Sequence, residues 1–244
     1  MITTGNTVLI TGGSSGIGLS LAKRFLSLQN TVIITGRDTT RLQQVKNDHP
    51  GMVTFAGDLT EQSALDELRL FLEQHHPGLN TLVNNAAVQY NYSFVQEPDI
   101  LTKIDYEIST NLSAPLKLTG MLLPLLLQNK NSAIINVSSG LFIAPKQSAP
   151  VYCATKSAIH SYSKALRYQL ENSGVKVFEI IPALVDTPMT AGRGKSKISP
   201  DQLTEEFFND FSKDRFESYI GKTKLLKLIH RISPKLADRM MKNG

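Results

Sequence analysis

The sequence predicts an α/β fold in which helices cover both faces of a doubly wound parallel sheet. Three observations carry this prediction. Short β-branched apolar runs recur along the 244 residues, amphipathic stretches separate them, and a glycine-rich turn joins the first run to the first helical stretch. Strands that are apolar throughout, instead of alternating, belong to sheets buried on both faces. Helical segments between successive strands make such a sheet parallel. No repeat, low-complexity tract or Pro/Gly/Ser-rich linker divides the chain, so residues 1–244 read as a single-domain, Rossmann-like three-layer sandwich.

The first strand, Thr7–Ile10, runs into Thr11-Gly12-Gly13-Ser14-Ser15-Gly16-Ile17-Gly18 and then the helical LSLAKRFLSL. Gly12 permits the tight turn, Gly16 lets the backbone approach a pyrophosphate, and Gly18 lets the helix pack closely on the strand. Free N–H groups and the dipole at the helix start favour phosphate. Thr31–Thr35 and Met52–Phe55 are the next strands, the latter leading to Gly57-Asp58-Leu59-Thr60. Thr81–Val83 ends in Asn84-Asn85-Ala86-Ala87, Ala133–Val137 ends in Ser138-Ser139, and Val175–Ile181 leads to Pro182.

Beyond Pro188 the rhythm changes. The stretch TAGRGKSKI offers little to pack, and Ser199-Pro200-Asp201-Gln202 supplies an N-cap, a first-turn proline and a capping-box glutamine for a helix to about Phe211. Met189–Phe211 is expected to be a substrate lid. Phe216–Ile220 is a last strand, and residues 222–244 form a helical tail with Leu225, Leu228, Ile229 and Ile232 as its packing face and a fresh start at Ser233-Pro234. A membrane-surface anchor is the lesser reading of that tail, from Lys222, Lys224, Lys227, Arg231, Lys235, Arg239 and Lys242 among the leucines.

Composition narrows the function. The net charge of +5 is spread along the chain and concentrated only near its end, which argues against nucleic acid. Cys153 is the single cysteine, so no intrachain disulfide forms, and a small buried hydrophobe is its expected role. The first strand begins too near Met1 for a signal peptide, and Met121–Leu127, interrupted by Pro124, is too short to span a bilayer. A cytoplasmic protein with no metal site is expected.

Two features point to hydride transfer. Tyr152 and Lys156 stand at i and i+4, on one helix face, with Ser139 thirteen residues upstream of the tyrosine. An ammonium beside a phenol favours phenolate and makes the tyrosine an acid/base group. At the end of the second strand the chain reads Thr35-Gly36-Arg37, where a carboxylate usually holds the ribose hydroxyls of NAD. Arg37 is suited to a 2′-phosphate; the competing reading is a surface arginine beside Asp38. NADP(H) is thus expected over NAD(H), with Ser14 and Ser15 adding hydroxyls.

These residues together resemble the single-domain short-chain dehydrogenase/reductase family, in order from Thr7 to about Thr187. The family's TGxxxGxG turn appears as Thr11, Gly12, Gly16 and Gly18, with Ile17 inside it. The resemblance implies that Asp58, with Leu59 beside it, contacts the adenine, that Asn84 and Ala86 also bind the cofactor, and that Pro182 and Thr187 belong to the loop over the nicotinamide. It implies a catalytic set of Asn111, Ser139, Tyr152 and Lys156. Tyr152 would protonate the alkoxide and Ser139 polarise the carbonyl. Lys156 would hold the ribose and lower the tyrosine pKa, and Asn111 would position a water. Ala87 and Ala183 stand where the family has glycine. The resemblance implies a small-molecule carbonyl or alcohol substrate and a homodimer or homotetramer. The competing function is a non-catalytic nucleotide sensor or interaction protein of the same fold, which would have no reason to keep all four catalytic residues. Leu141–Pro145, Gln89–Phe94 and Met189–Ile198 are the expected substrate wall.

Overall fold

The computed structural model describes residues 1–243. Seven strands form one sheet: β1 (Thr7–Thr11), β2 (Thr31–Gly36), β3 (Met52–Ala56), β4 (Leu79–Asn84), β5 (Ser132–Val137), β6 (Val175–Pro182) and β7 (Glu217–Ile220). Their order is β3-β2-β1-β4-β5-β6-β7, and every pairing is parallel. The chain starts mid-sheet, winds outward to β3, then crosses back to β4 and winds the other way. The reversal between β1 and β4 opens a crevice at the carboxyl ends of those strands, where ligands of such sheets bind.

The helices are α1 (Gly16–Ser27), α2 (Thr39–Asp48), α3 (Gln62–His75), α4 (Ile100–Ile108), α5 (Ala114–Leu127), α6 (Pro150–Gln169), α7 (Pro200–Phe211), α8 (Thr223–Ile232) and α9 (Pro234–Met241). The two faces of the sheet carry separate cores. Val8 and Ile10 point into one with Phe25, Phe178 and Phe207, while Leu9, between them, points into the other with Leu68, Leu122 and Leu166. That split is the period-two alternation of strand side chains. Both sides of each central strand are buried, which is why these strands read as unbroken apolar runs.

Two expectations change. The helix expected to continue a lid is a core element. Leu203, Phe207, Phe208 and Phe211 of α7 are buried, with Phe208 4.8 Å from Phe25 and Phe211 4.8 Å from Phe178 between ring centroids. Ser20 of α1 also bonds Asp201 at 2.7 Å and Thr204 at 2.8 Å. These contacts make α7 part of the body of the molecule.

The C-terminal helices pack through a different face from the one expected. Leu226 and Ala237 are buried near Ala144, with Ile229 and Met241 partly covered. Leu225, Leu228 and Ile232, together with Leu236 and Met240, face solvent. The apolar arc of these helices is wider than the body they rest on. Among the described residues no helix is long and apolar enough to cross a membrane, and no His/Cys/Asp/Glu cluster is placed to hold a metal.

Candidate active site

The glycine turn fills the crevice floor. Gly12 and Gly16 have φ of +63° and +54°, a region that disfavours side chains. A Cβ on Gly18 would run into the Gly12 carbonyl and the Asn85 amide, so only glycine lets α1 start this close to the strand. Thr11 Oγ1 accepts from the N–H groups of Asn85 and Ala86, both at 3.0 Å, and the Asn85 amide donates to Thr11 O at 2.9 Å. These bonds tie the ends of β1 and β4 together at the reversal point. The first turn of α1 contains no acidic residue, and the Ser15 hydroxyl makes no capping bond, so the positive end of the helix faces the cleft.

At the β2 end, Arg37 Nη1 lies 3.3 Å from Asp58 Oδ2, and its guanidinium lies 5.3 Å from the centre of the Tyr106 ring. Asp58 also accepts from the Thr60 N–H and hydroxyl, at 3.0 and 2.8 Å. Asp38 does not supply the missing ribose carboxylate freely: it caps α2, accepting from Arg41 N at 2.9 Å. Arg41 reaches the same cleft, a second cation that the sequence reading missed although it follows Arg37 by one helical turn.

At the other end, Ser139 stands two residues past β5, and its hydroxyl oxygen accepts from Leu141 N at 3.2 Å. Tyr152 and Lys156 stand on the first turns of α6. Burial raises the Tyr152 pKa, with the Ser139 hydroxyl working against that rise. Lys156 Nζ donates to Val137 O at 2.8 Å, 5.6 Å from the centre of the tyrosine ring. Its own pKa falls to about 8, because burial penalises the ammonium more than Glu179 favours it. The Ser139 hydroxyl is the first influence favouring phenolate at Tyr152, and the Arg193 charge adds to it.

One cleft of about 830 Å³ brings most of the predicted residues together. Gly12, Ser14, Ser15, Gly16 and Ile17 line it beside Arg37, Asp58 and Leu59. Asn84, Ala86, Ser139, Tyr152, Lys156, Pro182 and Thr187 line the remainder. Gly18 and Asn111 lie behind this wall. Asn111 is buried in a π-helical turn, Ser109–Ser113, between α4 and α5. Its amide accepts from Val88 N at 2.7 Å and donates to Val88 O at 2.8 Å, clamping the chain that leaves β4. The water-positioning role expected of this residue therefore finds its side-chain amide already paired. Ala87 and Ala183 keep ordinary backbone conformations, so alanine replaces the family's glycine there without strain.

The substrate wall is also revised. Of the expected segments, Gln89, Leu141, Met189–Thr190 and Arg193–Ser196 line the cleft, joined by Lys146 and, from the C-terminal helices, Leu226, Ile229 and Met241. Nothing local in the sequence marks these last residues, which tertiary packing alone delivers.

The sequence profile described as short chain dehydrogenase matches residues 6–197. The chain belongs to the short chain dehydrogenase family. Among its relatives, the uncharacterized oxidoreductase DltE of Bacillus subtilis strain 168 is 45% identical over 184 residues, covering 75% of this chain and 73% of that protein. An uncharacterized oxidoreductase of Staphylococcus epidermidis is 33% identical over 186 residues, covering 75% and 80%. A short chain dehydrogenase from Burkholderia cenocepacia J2315 in complex with NADP superposes with a TM-score of 0.88 at 21% identity, covering all of both chains. A short-chain dehydrogenase from Sphingobium yanoikuyae in complex with NADPH gives 0.81 at 26%, covering 96% of each. One from Burkholderia phymatum in complex with NAD gives 0.84 at 17%, covering 100% of this chain and 98% of that one. The profile match ends at residue 197, before α7, so the three C-terminal helices of this dehydrogenase lie outside it.

Proposed function

We propose that this short chain dehydrogenase transfers a hydride between NADP(H) and a carbonyl or secondary-alcohol substrate, with Tyr152 as acid/base. The observation that carries the reading is the convergence of Tyr152, Ser139 and Lys156 with the glycine turn and Arg37 on one cleft. Its volume suits a cofactor together with a small substrate. The residues present also fit a dinucleotide: side-chain-free positions at Gly12 and Gly16, an uncapped positive helix end, and two arginines where a 2′-phosphate would lie. Bound there, the nicotinamide supplies or accepts the hydride.

The chain supplies position and protons. In the reducing direction the buried phenol of Tyr152, neutral because burial raises its pKa, gives its proton to the substrate oxygen. The Ser139 oxygen accepts from Leu141 N, and its one O–H, directed at Tyr152, can turn to donate where negative charge develops on the substrate oxygen. Lys156, anchored through one proton to Val137 O, retains two for the ribose hydroxyls. Asn111 acts behind them, holding the Val88 segment that borders the cleft.

A screen of carbonyl compounds following NADPH absorbance tests this reading. Turnover that requires Tyr152 supports it. Nucleotide binding without turnover of any carbonyl or alcohol class would favour the sensor. A homodimer or homotetramer is expected, to be read by sedimentation.

A further inference from the structure

Two cations face the substrate end of the cleft without counter-charges. Arg193 sits in the loop after the Pro188–Thr190 turn, and its Nη2 donates to Gln89 O at 3.3 Å. Its Nη1 is buried and has no partner. Lys146 is half-buried on the segment that enters α6 and lines the same cleft. Among the described residues neither takes part in an ion pair, whereas Arg37 pairs with Asp58 and Arg41 with Asp38; Lys195 and Lys222, which also line the cleft unpaired, are exposed to water, while Lys146 and Arg193 are half-buried. The two cations also act on each other. Burial depresses the Lys146 pKa first, and the Arg193 charge depresses it further.

Glu107, whose field reaches the neighbouring Tyr152 and Cys153, is already committed. Its carboxylate accepts from Tyr90 N at 3.0 Å and from the Tyr92 hydroxyl at 3.2 Å. Burial raises its own pKa, which weakens it further as a counter-charge. Arg193 is held against Gln89 O, and both cations line the cleft with Tyr152, whose surroundings their fields reach. Holding like charges partly out of water with no partner is costly, and a ligand that brings the opposite charge removes that cost.

We propose that Lys146 and Arg193 form a subsite for an anionic group on the substrate, so that this enzyme selects carbonyl compounds bearing a carboxylate or phosphate. The assignment rests on the reading of Tyr152 as the reacting residue. The guanidinium offers its unpartnered Nη1 for a charge-assisted contact, and the ammonium adds a point charge. Leu226, Ile229 and Met241 line the same cleft, so the body of the substrate is apolar.

Calorimetry on the full chain saturated with NADP⁺ tests this with octanoate and octanamide, which share a chain and differ in charge. Octanoate is expected to bind roughly ten- to a hundred-fold more tightly, the range that charge-assisted hydrogen bonds supply. Arg193→Gln and Lys146→Gln should each erode that ratio, and the double variant should abolish it, while Arg193→Lys retains part. Octanoate binding no tighter than octanamide, undetectable binding of both included, overturns the subsite. So does a ratio that survives the double variant. If the double variant instead loses NADP⁺ affinity, the pair serves the cofactor phosphates and the proposal falls. Octanoate preference without turnover in the carbonyl screen would keep the subsite and sink the oxidoreductase reading. Turnover of neutral ketones without the preference would do the reverse.

Discussion

At the scale of single residues the site is a contest between burial and charge. Tyr152 is held neutral by burial and opposed by the Ser139 hydroxyl, which suits a proton donor working below its own pKa. Tyr152→Phe keeps the ring and loses the proton, so turnover should fall about 10²–10⁴-fold with nucleotide affinity nearly unchanged. Retention of most activity would remove Tyr152 from the mechanism. Lys156 carries the opposite burden, a buried ammonium whose pKa drops from 10.5 to about 8. Below the folded pKa both folded and unfolded chains hold the proton, and the full penalty applies, on the order of 3 kcal/mol. Between about 8 and 10.5 the unfolded chain binds more protons, so stability rises with pH across that window and the penalty disappears above it. Lys156→Met should therefore be more resistant to urea than the parent near neutral pH, with the advantage shrinking towards pH 10. An advantage that is flat or grows with pH would contradict the burial argument.

At the scale of elements, legibility follows locality. The glycine turn and the Tyr152–Lys156 pair were readable because their geometry is set within a few residues by turn and helix periodicity. The strands were readable because burial on both faces leaves an unbroken apolar run. The role of α7 was not. Its aromatic stripe reads the same whether it closes over a cleft or packs on α1, and its partner Phe25 is remote in sequence. Arg193 fell inside the expected wall, but its pairing with Lys146 was silent, since only the fold brings those segments together. Phe207 is fully buried, so Phe207→Ala should cost about 3–5 kcal/mol in denaturant unfolding, as core truncations do. A cost near zero would restore α7 to the lid. Hydrogen exchange should separate the two segments: α7 is protected in the free protein, while 189–198 slows only when nucleotide and substrate bind. Exchange in 189–198 that ignores both ligands would leave the cleft without a closing segment.

At the scale of the whole molecule, cofactor choice is a question of which charges the sheet presents at its carboxyl edge. The β2 end carries Gly36, with no carboxylate to repel a 2′-phosphate, and Asp38 is spent on capping α2. Arg37 and Arg41 supply positive charge to the same end of the cleft. Arg37 must leave or share its 3.3 Å contact with Asp58 to engage the phosphate, an exposed pair that is weak enough to yield. Hydrogen bonds to charged groups contribute about 1.5–3 kcal/mol net, so NADP(H) should bind roughly ten- to a hundred-fold more tightly than NAD(H). A ligand that binds only the folded chain stabilises it by RT ln(1 + L/Kd), where L is its free concentration. At equal saturating concentrations NADP⁺ should therefore raise the melting temperature more than NAD⁺, by roughly 3–11 °C for a chain of this size. Gly36→Asp combined with Arg37→Ala places a carboxylate near the Ser14 hydroxyl, which lies 3.3 Å from a Cβ built at Gly36, and removes one cation. The order of the two shifts should then narrow or invert. If NAD⁺ stabilises the unmodified protein as much as NADP⁺, the arginines do not read the phosphate, and the preference falls while the hydride chemistry at Tyr152 stands.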